Sequence, residues 1–501
     1  MTNDPDQAKM NGSLEAGTTS SPNASIAILG VPFDNVTTGE TVSLVEQMVA
    51  SRKPHYFVTA NVDFLVQAQE DVELRRILFD ANLVLCDGTP LVWASRLLGN
   101  PLPERVAGSD LVPLLARIAE EKRYHLFFLG GTTESTERAV ANLKSRHPNL
   151  SVVGYSPPFN KLLEMDHEEI KRRIAEAKPD LLFVSFGCPK QEKWIAMHYL
   201  TLGVPVSAGV GATIDFIAGQ MKRAPVWMQR SGTEWIFRIL QEPRRLFRRY
   251  IKDLWVFSRS IAAQWWQLRS RRKHGRPAGV SAPVLAEAAW QWIQLPERLD
   301  LAAVRNDVLL VDQVLADGRH CLLQMDQVGF IDSTGVGLLI RLHKKVRATG
   351  RQLILLDPSV TVTRALQMMH LQNFFDVAPD FDSARELINS RSLEQDKLAS
   401  INLGKACDSI SWMGEVTAVN ADKVWQITEK QVAASLKSGR PLAIDLSQVR
   451  FMDSAGMGMM VRVRKLAQRE GLSLTFTGIQ PAVLNVLRLA RLEDFLLGER
   501  R

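Results

Sequence analysis

Leu181-Leu-Phe-Val-Ser-Phe-Gly-Cys-Pro-Lys-Gln191 is a short apolar run that passes directly into a polar loop. Such a run is typical of a buried strand that ends at the edge of a sheet. Segments with helical periodicity, such as Glu134–Arg146 and His167–Ala177, separate it from similar runs. Those runs are Ala27–Gly30, Tyr56–Ala60, Leu83–Cys86, His125–Leu129, Leu150–Gly154 and Val204–Val210. The alternation predicts an α/β fold with a largely parallel, Rossmann-like sheet covered by helices.

Polar residues and glycines follow these runs, where the strands are expected to end. In open parallel sheets, ligands bind beyond the carboxyl ends of the strands. The candidate site residues are therefore Thr59, Asn61, Asp87, Gly130, Gly131, Gln191, Gly209 and Gly211.

Asp87 allows two interpretations. A carboxylate at the rim of the sheet, flanked by the hydrogen-bonding side chains of Thr59 and Asn61, is suited to act as a general base in sugar transfer. The same residue type in front of a helix is also typical of an N-cap.

The glycines also allow two interpretations. Gly130 and Gly131 lead from a strand into a helix, so their N–H groups either approach a phosphate or form a plain tight turn with Thr132 as N-cap. Gly209 and Gly211 either admit phosphate or sugar, or permit close packing. The sequence alone leaves both alternatives open.

Several classes of site are disfavoured by the sequence. It has neither GxGxxG nor GxxxxGK[ST], which weakens the case for a nicotinamide dehydrogenase or an NTPase. The histidines show no HxH or HxxxH spacing, and the D-x-D pairs lie only at 4/6 and 380/382. No metal site is therefore expected. The four cysteines lack CxxC spacing and are interpreted as buried thiols in a reducing compartment.

The segment 223–268 is basic and amphipathic. From Lys222 to Arg276 the chain has fifteen basic and three acidic residues, which leaves the rest of the chain slightly acidic. Apolar residues recur at spacings of three and four, with a break near Pro243, which predicts helices with one apolar face. Such helices can lie on an anionic membrane, pack into a core with a solvated basic face, or bind nucleic acid. No apolar run reaches the roughly 20 residues of a membrane span.

Motifs in a defined order identify a family. They are Leu29-Gly-Val-Pro-Phe-Asp-Asn35, Thr59-Ala-Asn61, Asp87-Gly88, Arg105-Val-Ala-Gly-Ser-Asp110, Phe186-Gly-Cys-Pro-Lys-Gln-Glu192, Gly209-Val-Gly-Ala-Thr-Ile-Asp215, Arg223-Ala-Pro225, Glu234-Trp235 and Glu242-Pro-Arg-Arg245. With them the chain resembles the WecG/TagA/CpsF family of glycosyltransferases (family 26) over about residues 25–266. Gly232-Thr-Glu234, where Gly-Leu-Glu is expected, is a mild departure.

The resemblance implies inverting, metal-independent transfer of an N-acetylmannosamine-type sugar from a UDP donor to a polyprenyl-diphosphate-linked sugar, without a cofactor. It implies that Asp87 acts as the base on the acceptor hydroxyl and that Arg105 lies near diphosphate. Thr59, Asn61 and Gln191 match positions that line the sugar site. The basic segment would reach membrane and lipid diphosphate through Arg223, Arg230, Trp235, Arg238, Arg244, Arg245, Arg248 and Arg249.

The second half of the chain contains an internal repeat. Val328-Gly-Phe-Ile-Asp-Ser-Thr-Gly-Val-Gly337 recurs as Val449-Arg-Phe-Met-Asp-Ser-Ala-Gly-Met-Gly458, and the alignment continues without a gap to Phe374 and Phe495. The repeat predicts two copies of one small α/β domain. In each copy the Asp-Ser-x-Gly turn places a hydroxyl at a helix N-terminus. The helix dipole either favours an anion such as phosphate there, or the Asp and Ser of the turn simply cap the helix.

The turn makes both copies resemble STAS domains, the anti-sigma-factor-antagonist fold. The resemblance implies that a partner serine kinase phosphorylates a hydroxyl in the turn. The candidates are Thr334 and Ser333 in the first copy. The second copy has Ala455 at the position of Thr334, which leaves Ser454 as its candidate.

These features predict the organisation of the chain. We expect a disordered tail (1–24), a glycosyltransferase domain (25–222), a membrane-contact segment (223–268), a linker (269–283), a first STAS domain (284–390), a linker (391–404) and a second STAS domain (405–501). The expected partners are a UDP-sugar, a polyprenyl-diphosphate-linked acceptor and an anionic membrane, with no nucleic acid. The expected location is the cytoplasm, peripheral on the inner face of the plasma membrane. The alternative is a non-catalytic signalling scaffold that acts through the STAS pair.

Overall fold

The computed structural model describes residues 25–225, 227–228, 233–241, 243–269, 290–306, 314, 317–372, 374–396, 399–403 and 407–497. The predicted tail at 1–24, the predicted linker beyond residue 269 and Arg230 lie outside the described residues. The same holds for the side chains of Arg238, Arg244 and Arg245, whose backbone is helical.

The first predicted run forms a separate hairpin instead of a strand of the main sheet. β1 (Ile26–Ile28) pairs antiparallel with β2 (Val31–Phe33). Leu29 and Gly30 have φ angles of 48° and 82°, so the chain reverses after only three residues of strand. The prediction that this run joins the parallel sheet is therefore wrong, because a left-handed turn follows it directly.

A six-stranded parallel sheet forms the centre of the first domain. Its strands are β3 (His55–Ala60), β4 (Leu83–Cys86), β5 (His125–Gly130), β6 (Ser151–Tyr155), β7 (Leu181–Ser185) and β8 (Val206–Gly209). Their order is β4-β3-β8-β7-β5-β6, and every neighbouring pair is parallel. The predicted Rossmann-like parallel sheet is confirmed.

Helices cover both faces of this sheet. They are α1 (Thr38–Ser51), α2 (Val62–Glu70), α3 (Val72–Asp80), α4 (Thr89–Leu97), α5 (Gly108–Lys122), α6 (Thr133–Arg146), α7 (His167–Ala177), α8 (Lys190–His198) and α9 (Thr213–Ile217). Successive strand residues enter opposite cores: Leu182 and Val184 belong to one, Leu181 and Phe183 to the other. Burial on both faces explains why the strands appear as continuous apolar runs.

The basic segment forms α10 (Glu234–Gln241) and α11 (Pro243–Arg269). Pro243 is the first residue of α11, so the predicted break is confirmed. The apolar side of α11 is divided: Phe257 and Ile261 are buried in the core of the first domain. Phe247, Ile251, Leu254, Trp255 and Trp266 are exposed. This helix therefore does not present a single apolar face to a membrane, because part of its apolar face packs against the helices that cover the sheet.

The first repeat is a small α/β domain. Its elements are β9 (Trp290–Gln294), β10 (Arg298–Leu299), α12 (Leu301–Asn306), β11 (His320–Gln324), β12 (Phe330–Ile331), α13 (Ser333–Ala348), β13 (Leu353–Leu356), α14 (Val360–Met368), β14 (Asp376–Ala378) and α15 (Phe381–Asp396). The main sheet has the parallel order β14-β13-β11-β9.

The second repeat has a related sheet. Its elements are β15 (Ala399–Leu403), β16 (Asp408–Val416), α16 (Ala421–Ser438), β17 (Leu442–Met452), α17 (Ser454–Arg469), β18 (Leu474–Thr477), α18 (Pro481–Leu489) and α19 (Glu493–Leu497). The order is β15-β16-β17-β18, in which only β15 is antiparallel to its neighbour.

The structure differs from the sequence prediction at the boundary between the repeats. The range 391–404 was predicted as a linker, yet α15 continues to Asp396 and β15 occupies Ala399–Leu403. β15 pairs with β16 from Ala399 opposite Trp412 to Leu403 opposite Asp408. The backbone hydrogen bonds of an added edge strand order this segment, and its polar composition does not reveal them.

Candidate functional site

Two cavities meet at the carboxyl edge of the main sheet. A polar cavity of about 1000 Å³ lies among the loops that follow β3, β5, β7 and β8. An apolar cleft of about 490 Å³ lies between α4 and α11. The residues that line both are Asn61, Asp63, Asp87, Arg249 and Tyr250. These five residues form a shared wall between the two cavities.

Asp87 directly follows β4 and is half-buried in this shared wall. Its backbone N–H donates to the Ala60 carbonyl at 2.9 Å, which extends the β3–β4 pairing. Helix α4 has Gly88 at its N-cap and no side-chain capping hydrogen bond. Gly88 and not Asp87 therefore occupies the N-cap position of α4, and the role of Asp87 as a general base stays a prediction.

Arg105 lies beside Asp87 in the apolar cleft. Its guanidinium donates to Glu234 at 2.7 Å and to Asp110 at 3.1 Å, and Asp110 also accepts from Arg223 at 2.6 Å. Burial lowers the pKa of Arg105, but the carboxylates of Asp87, Glu234 and Asp110 outweigh it and the pKa is raised. Arg105 and Arg223, two of the arginines expected near diphosphate, are thus paired with carboxylates, with which a diphosphate would compete.

Thr59 and Asn61 both reach the polar cavity from the end of β3. The buried hydroxyl of Thr59 donates to the Gly209 carbonyl at 3.4 Å and so links β3 to β8. Asn61 is the N-cap of α2 and accepts from the N–H of Phe64 at 3.4 Å. The structure therefore brings these two predicted site residues together with Asp87.

Gln191 joins the loops that follow β7 and β8. Its Oε1 accepts from the N–H of Gly187 at 3.1 Å and of Gly211 at 3.2 Å, while its Nε2 donates to Glu192 at 2.7 Å. A Cβ on Gly209 would lie 2.5 Å from Glu192 Oε1, so this glycine permits close packing. Gly211 lines the polar cavity, and Gly209 does not. The amide atoms of Gln191, which were expected to bind sugar, thus make hydrogen bonds that hold the cavity wall together.

Gly130 and Gly131 form the tight turn between β5 and α6 with φ angles of 99° and 73°. The N–H of Gly131 donates to the Ser185 carbonyl at 3.0 Å, and Thr132 caps α6 by accepting from the N–H of Ser135. The turn also lines the polar cavity. The glycine pair therefore forms a capped tight turn at the cavity wall with the Gly131 N–H already engaged, and its approach to a phosphate stays a prediction.

Sequence reasoning missed a cation and an aromatic ring at the rim of the polar cavity. Lys190 Nζ lies 4.9 Å from the ring centroid of Phe159 and 5.1 Å from that of Phe186, and it donates to the Asn160 carbonyl. Phe159 is 94% exposed. Burial lowers the pKa of Lys190. Lys190 lies within the motif Phe186–Glu192, so the sequence offered a signal for it, whereas no pattern in the sequence indicates Phe159.

A pair of carboxylates beside Arg249, one in the shared wall and one in the apolar cleft, was also missed. Arg249 Nε lies 4.0 Å from Asp63 and 3.9 Å from Asp253. Burial, together with repulsion by the neighbouring Asp63, raises the pKa of Asp253 to about 6. The contact joins α2 to α11, so a titrating group lies where the basic helix meets the site.

The apolar cleft has the lining that a long hydrocarbon chain requires. Trp93 and Leu97 of α4 are 52% and 49% exposed on one side. Trp235 and Tyr250 stack with ring centroids 6.4 Å apart on the other side. Apolar rings and aliphatic side chains left open to solvent next to a polar cavity are typical of a site for an amphipathic ligand.

The outer surface of α11 combines apolar and basic side chains. Phe247, Ile251 and Trp255 are exposed, and so are Arg248 and Lys252 between them. This mixture favours contact with an anionic interface. Among the described residues, no helix combines the length and apolar composition that a membrane span requires.

Within the described ranges, no three His, Cys, Asp or Glu side chains are grouped so that they could hold a metal ion. All four cysteines are free thiols: Cys86 and Cys321 are buried, and Cys188 and Cys407 are partly buried.

Comparison with known proteins connects this geometry to a reaction. The sequence model described as the glycosyl transferase WecG/TagA/CpsF family matches residues 26–271. N-acetylglucosaminyldiphosphoundecaprenol N-acetyl-beta-D-mannosaminyltransferase of Staphylococcus aureus strain MW2 is 33% identical over 241 residues, which are 48% of this chain and 92% of the relative. The proteins of that name from strains NCTC 8325 / PS 47 and COL match over the same shares. The chain belongs to the WecG/TagA/CpsF glycosyltransferase family.

Two STAS domains follow the WecG/TagA/CpsF domain, with matches at 282–384 and, to the Mlab-type STAS description, at 400–498. Asp332 caps α13 by accepting from the N–H of Thr334 at 2.7 Å, and Asp453 caps α17 in the same way. The candidate hydroxyls of Ser333, Thr334 and Ser454 are at most 1% exposed. Capping is thus realised in both copies, and a kinase can reach these hydroxyls only after the turns are uncovered.

Proposed function

We propose that the protein transfers an N-acetylmannosamine-type sugar, with inversion, from a UDP donor to an undecaprenyl-diphosphate-linked sugar in surface polysaccharide synthesis. The observation that carries the proposal is the position of Asp87 in the wall between a polar cavity and an apolar cleft. The names of the Staphylococcus aureus relatives support the sugar and the lipid-linked acceptor.

The donor belongs in the polar cavity. Thr59, Asn61 and the turn at Gly130 and Gly131 supply hydrogen-bonding groups and a helix N-terminus there, and Lys190 supplies a cation. A UDP leaving group needs such donors and positive charge as the bond between the sugar and the diphosphate breaks. These protein groups perform that role in the proposed mechanism without a metal or another cofactor.

Asp87 removes the proton from the acceptor hydroxyl. The acceptor oxygen attacks the anomeric carbon from the face opposite UDP, the carbon–oxygen bond to the diphosphate breaks, and the proton passes to the Asp87 carboxylate. Attack from the opposite face inverts the anomeric configuration. A general base of this kind typically contributes about 10²–10⁴-fold to the rate.

The acceptor lipid lies in the apolar cleft. Its hydrocarbon contacts Trp93, Leu97 and Trp235, and its diphosphate meets Arg249 or the arginine pair Arg105 and Arg223 once their carboxylates yield. The exposed apolar and basic side chains of α11 hold the protein on the inner face of the plasma membrane, where such an acceptor is embedded.

The STAS pair adds partner binding or phosphorylation-dependent regulation to the transferase. The alternative of a non-catalytic scaffold has weaker support, because Thr59, Asn61, Asp87 and Gln191 line one cavity together. Nucleic acid is not an expected ligand.

The test measures UDP release from UDP-N-acetylmannosamine with N-acetylglucosaminyldiphosphoundecaprenol as acceptor, in the full chain. We expect Asp87→Asn to lower kcat by about 10²-fold or more. Glu176→Gln, at an exposed carboxylate on α7, is the matched control and should keep wild-type rates. Equal rates for Asp87→Asn and wild type would remove Asp87 from the mechanism, and no transfer by the wild type would overturn the proposed substrates.

A further inference from the structure

Among the described side chains of the basic segment, Gln264 of α11 is the most buried polar one, at 1% exposure. Its Oε1 accepts from the N–H of Leu29 at 3.0 Å. Its Nε2 donates to the Ala27 carbonyl at 3.0 Å and to Ser333 Oγ at 2.9 Å. One side chain therefore joins three segments: α11, the β1–β2 hairpin and the Asp-Ser-x-Gly turn of the first STAS domain.

The equivalent turn of the second STAS domain also faces the transferase domain. The N–H of Ser454 donates to Oε1 of Glu73, a buried residue of α3. Glu73 pairs in addition with Lys193 of α8 at 2.9 Å. Both Asp-Ser-x-Gly turns are therefore contacts within this chain, although they use different partners on the transferase domain.

The first STAS domain packs closely on the transferase domain around Gln264. Phe79 of α3 lies between Phe374 and Phe375, with ring centroids 5.0 Å and 5.9 Å away. At Gly337 of α13 the two backbones approach so closely that a Cβ would collide with the Ser25 carbonyl. Absence of a side chain at this position is thus a condition of the docking.

Gln264 is one helical turn beyond Ile261, which lines the apolar cleft. The wall of the cleft is thus anchored at its C-terminal end by a contact to another domain. A buried amide that loses its partners costs free energy, so α11 and the first STAS domain favour each other's position. By contrast, the pKa of Asp253, which lies elsewhere on the same helix, is raised to about 6. This carboxyl is therefore ionised at neutral pH against the cost of its burial, which weakens the attachment of α11 there.

We propose that the first STAS domain acts within the chain as a brace for the acceptor cleft, with Gln264 as the positioning residue that transmits it to α11. The inference rests on the proposed function for the identity of the lipid in the cleft. It adds that the Ser333 turn controls acceptor binding from outside the transferase domain. A protein that binds this turn must displace the anchor, so partner binding and acceptor binding oppose each other.

The experiment uses the full chain and compares Gly337→Ala, which should push the two domains apart, with a matched control substitution. Gly337→Ala adds one methyl group where the domains touch, whereas Ala inside a helix is otherwise favourable. Gly458→Ala is the equivalent change in the second repeat, where the nearest contact of the added Cβ is Leu163 at an ordinary 3.5 Å. Ser333→Ala removes only the hydrogen bond to Gln264 and keeps the Asp332 cap.

Three quantities are measured in each variant. The first is hydrogen exchange of residues 253–266. The second is KM for N-acetylglucosaminyldiphosphate carried on undecaprenol and on a short alkyl chain. The third is the thermal shift caused by UDP-N-acetylmannosamine. We expect Gly337→Ala and Ser333→Ala to accelerate exchange in 253–266 and to raise KM for the undecaprenol acceptor about three- to tenfold. KM for the short acceptor, the donor shift and all values of Gly458→Ala should stay at wild type.

General destabilisation would raise KM for both acceptors, whereas loss of the positioning of α11 would raise KM for the undecaprenol acceptor alone. Faster exchange at 25–33 in Gly337→Ala, with unchanged exchange at 253–266 and unchanged undecaprenol KM, would overturn the brace. Absence of transfer by the wild type contradicts the proposed function instead, and the exchange measurement then still decides whether the first STAS domain holds α11.

Discussion

Arg105 Nη1 lies 2.7 Å from Oε2 of Glu234, the first residue of α10. This ion pair connects the loop between α4 and α5 to the basic helices, next to Asp87. Glu234 is 5% exposed, so water screens the pair little. The basic segment is therefore attached to the site by charge as well as by apolar packing.

We expect Glu234→Ala to release α10 from the transferase domain. A hydrogen bond to a charged group contributes about 1.5–3 kcal/mol, so hydrogen exchange at 234–241 should accelerate by about tenfold or more. Glu134→Ala is the control, because it breaks the Arg138–Glu134 pair at 2.9 Å, in which both side chains are more than half exposed. Equal exchange in both variants would show that the Arg105 pair does not hold α10.

The attachment of α11 should depend on pH through Asp253. Its pKa is raised to about 6 by burial and by Asp63, above the ordinary value of 3.8 for an aspartate. The folded state therefore binds the proton more tightly, and this group's contribution to stability is fully present below about pH 4 and is lost as pH rises through about 6. Hydrogen exchange at 247–261, corrected for the intrinsic pH effect, should show less protection at pH 7.5 than at pH 5.

Asp253→Asn should remove this dependence and protect α11 at pH 7.5 by on the order of 1 kcal/mol. The exposed Asp382→Asn, on α15, serves as the comparison and should leave the pH profile as in wild type. A profile that keeps its slope in Asp253→Asn would assign the titration to another group.

Gly209→Ala should destabilise the transferase domain by about 1–3 kcal/mol, because overpacking a buried site forces neighbours to move. The added Cβ would lie 2.5 Å from Glu192 Oε1 and 2.6 Å from Gln191 Nε2, so the loops at Gly187 and Gly211 would shift as well. The melting temperature and the affinity for UDP-N-acetylmannosamine should both fall. Gly39→Ala, with no atom within 4 Å of its added Cβ, should leave both at wild-type values.

Membrane binding should depend on the exposed apolar side chains of α11. Phe247 and Trp255 are 53% and 71% exposed, and burial of one such side chain contributes about 1.5–3 kcal/mol. The double variant Phe247→Ser, Trp255→Ser should therefore reduce flotation with anionic liposomes by about tenfold or more. Val419→Ser, which changes a 75% exposed side chain on the second STAS domain, should float like wild type. Binding to DNA in the absence of liposome binding would contradict the membrane assignment.

The sequence by itself determined the elements and the edge of the sheet where the site lies. Apolar runs such as Leu181–Ser185 are continuous because strands of this sheet are buried on both faces, and parallel strands end at one common edge. That is why the sequence predicts one site for Thr59, Asn61 and Asp87, although they are distant in sequence, while the family resemblance indicates Gln191 within its strand-end motif. The repeat was equally evident, because each Asp-Ser-x-Gly turn caps its own helix with local hydrogen bonds.

Only the tertiary structure decided which distant segments these residues contact, both within the transferase domain and across domains. The pairing of Arg105 with Glu234, the use of Gln191 as a link between loops, and the bond from Gln264 to Ser333 join positions that no periodicity relates. Local patterns report whether a residue is buried and where an element ends, but they carry no information about which distant surface covers it. Domain packing supplied that surface, and it made the turn at Ser333, predicted as a phosphorylation site, a buried contact close to the apolar cleft.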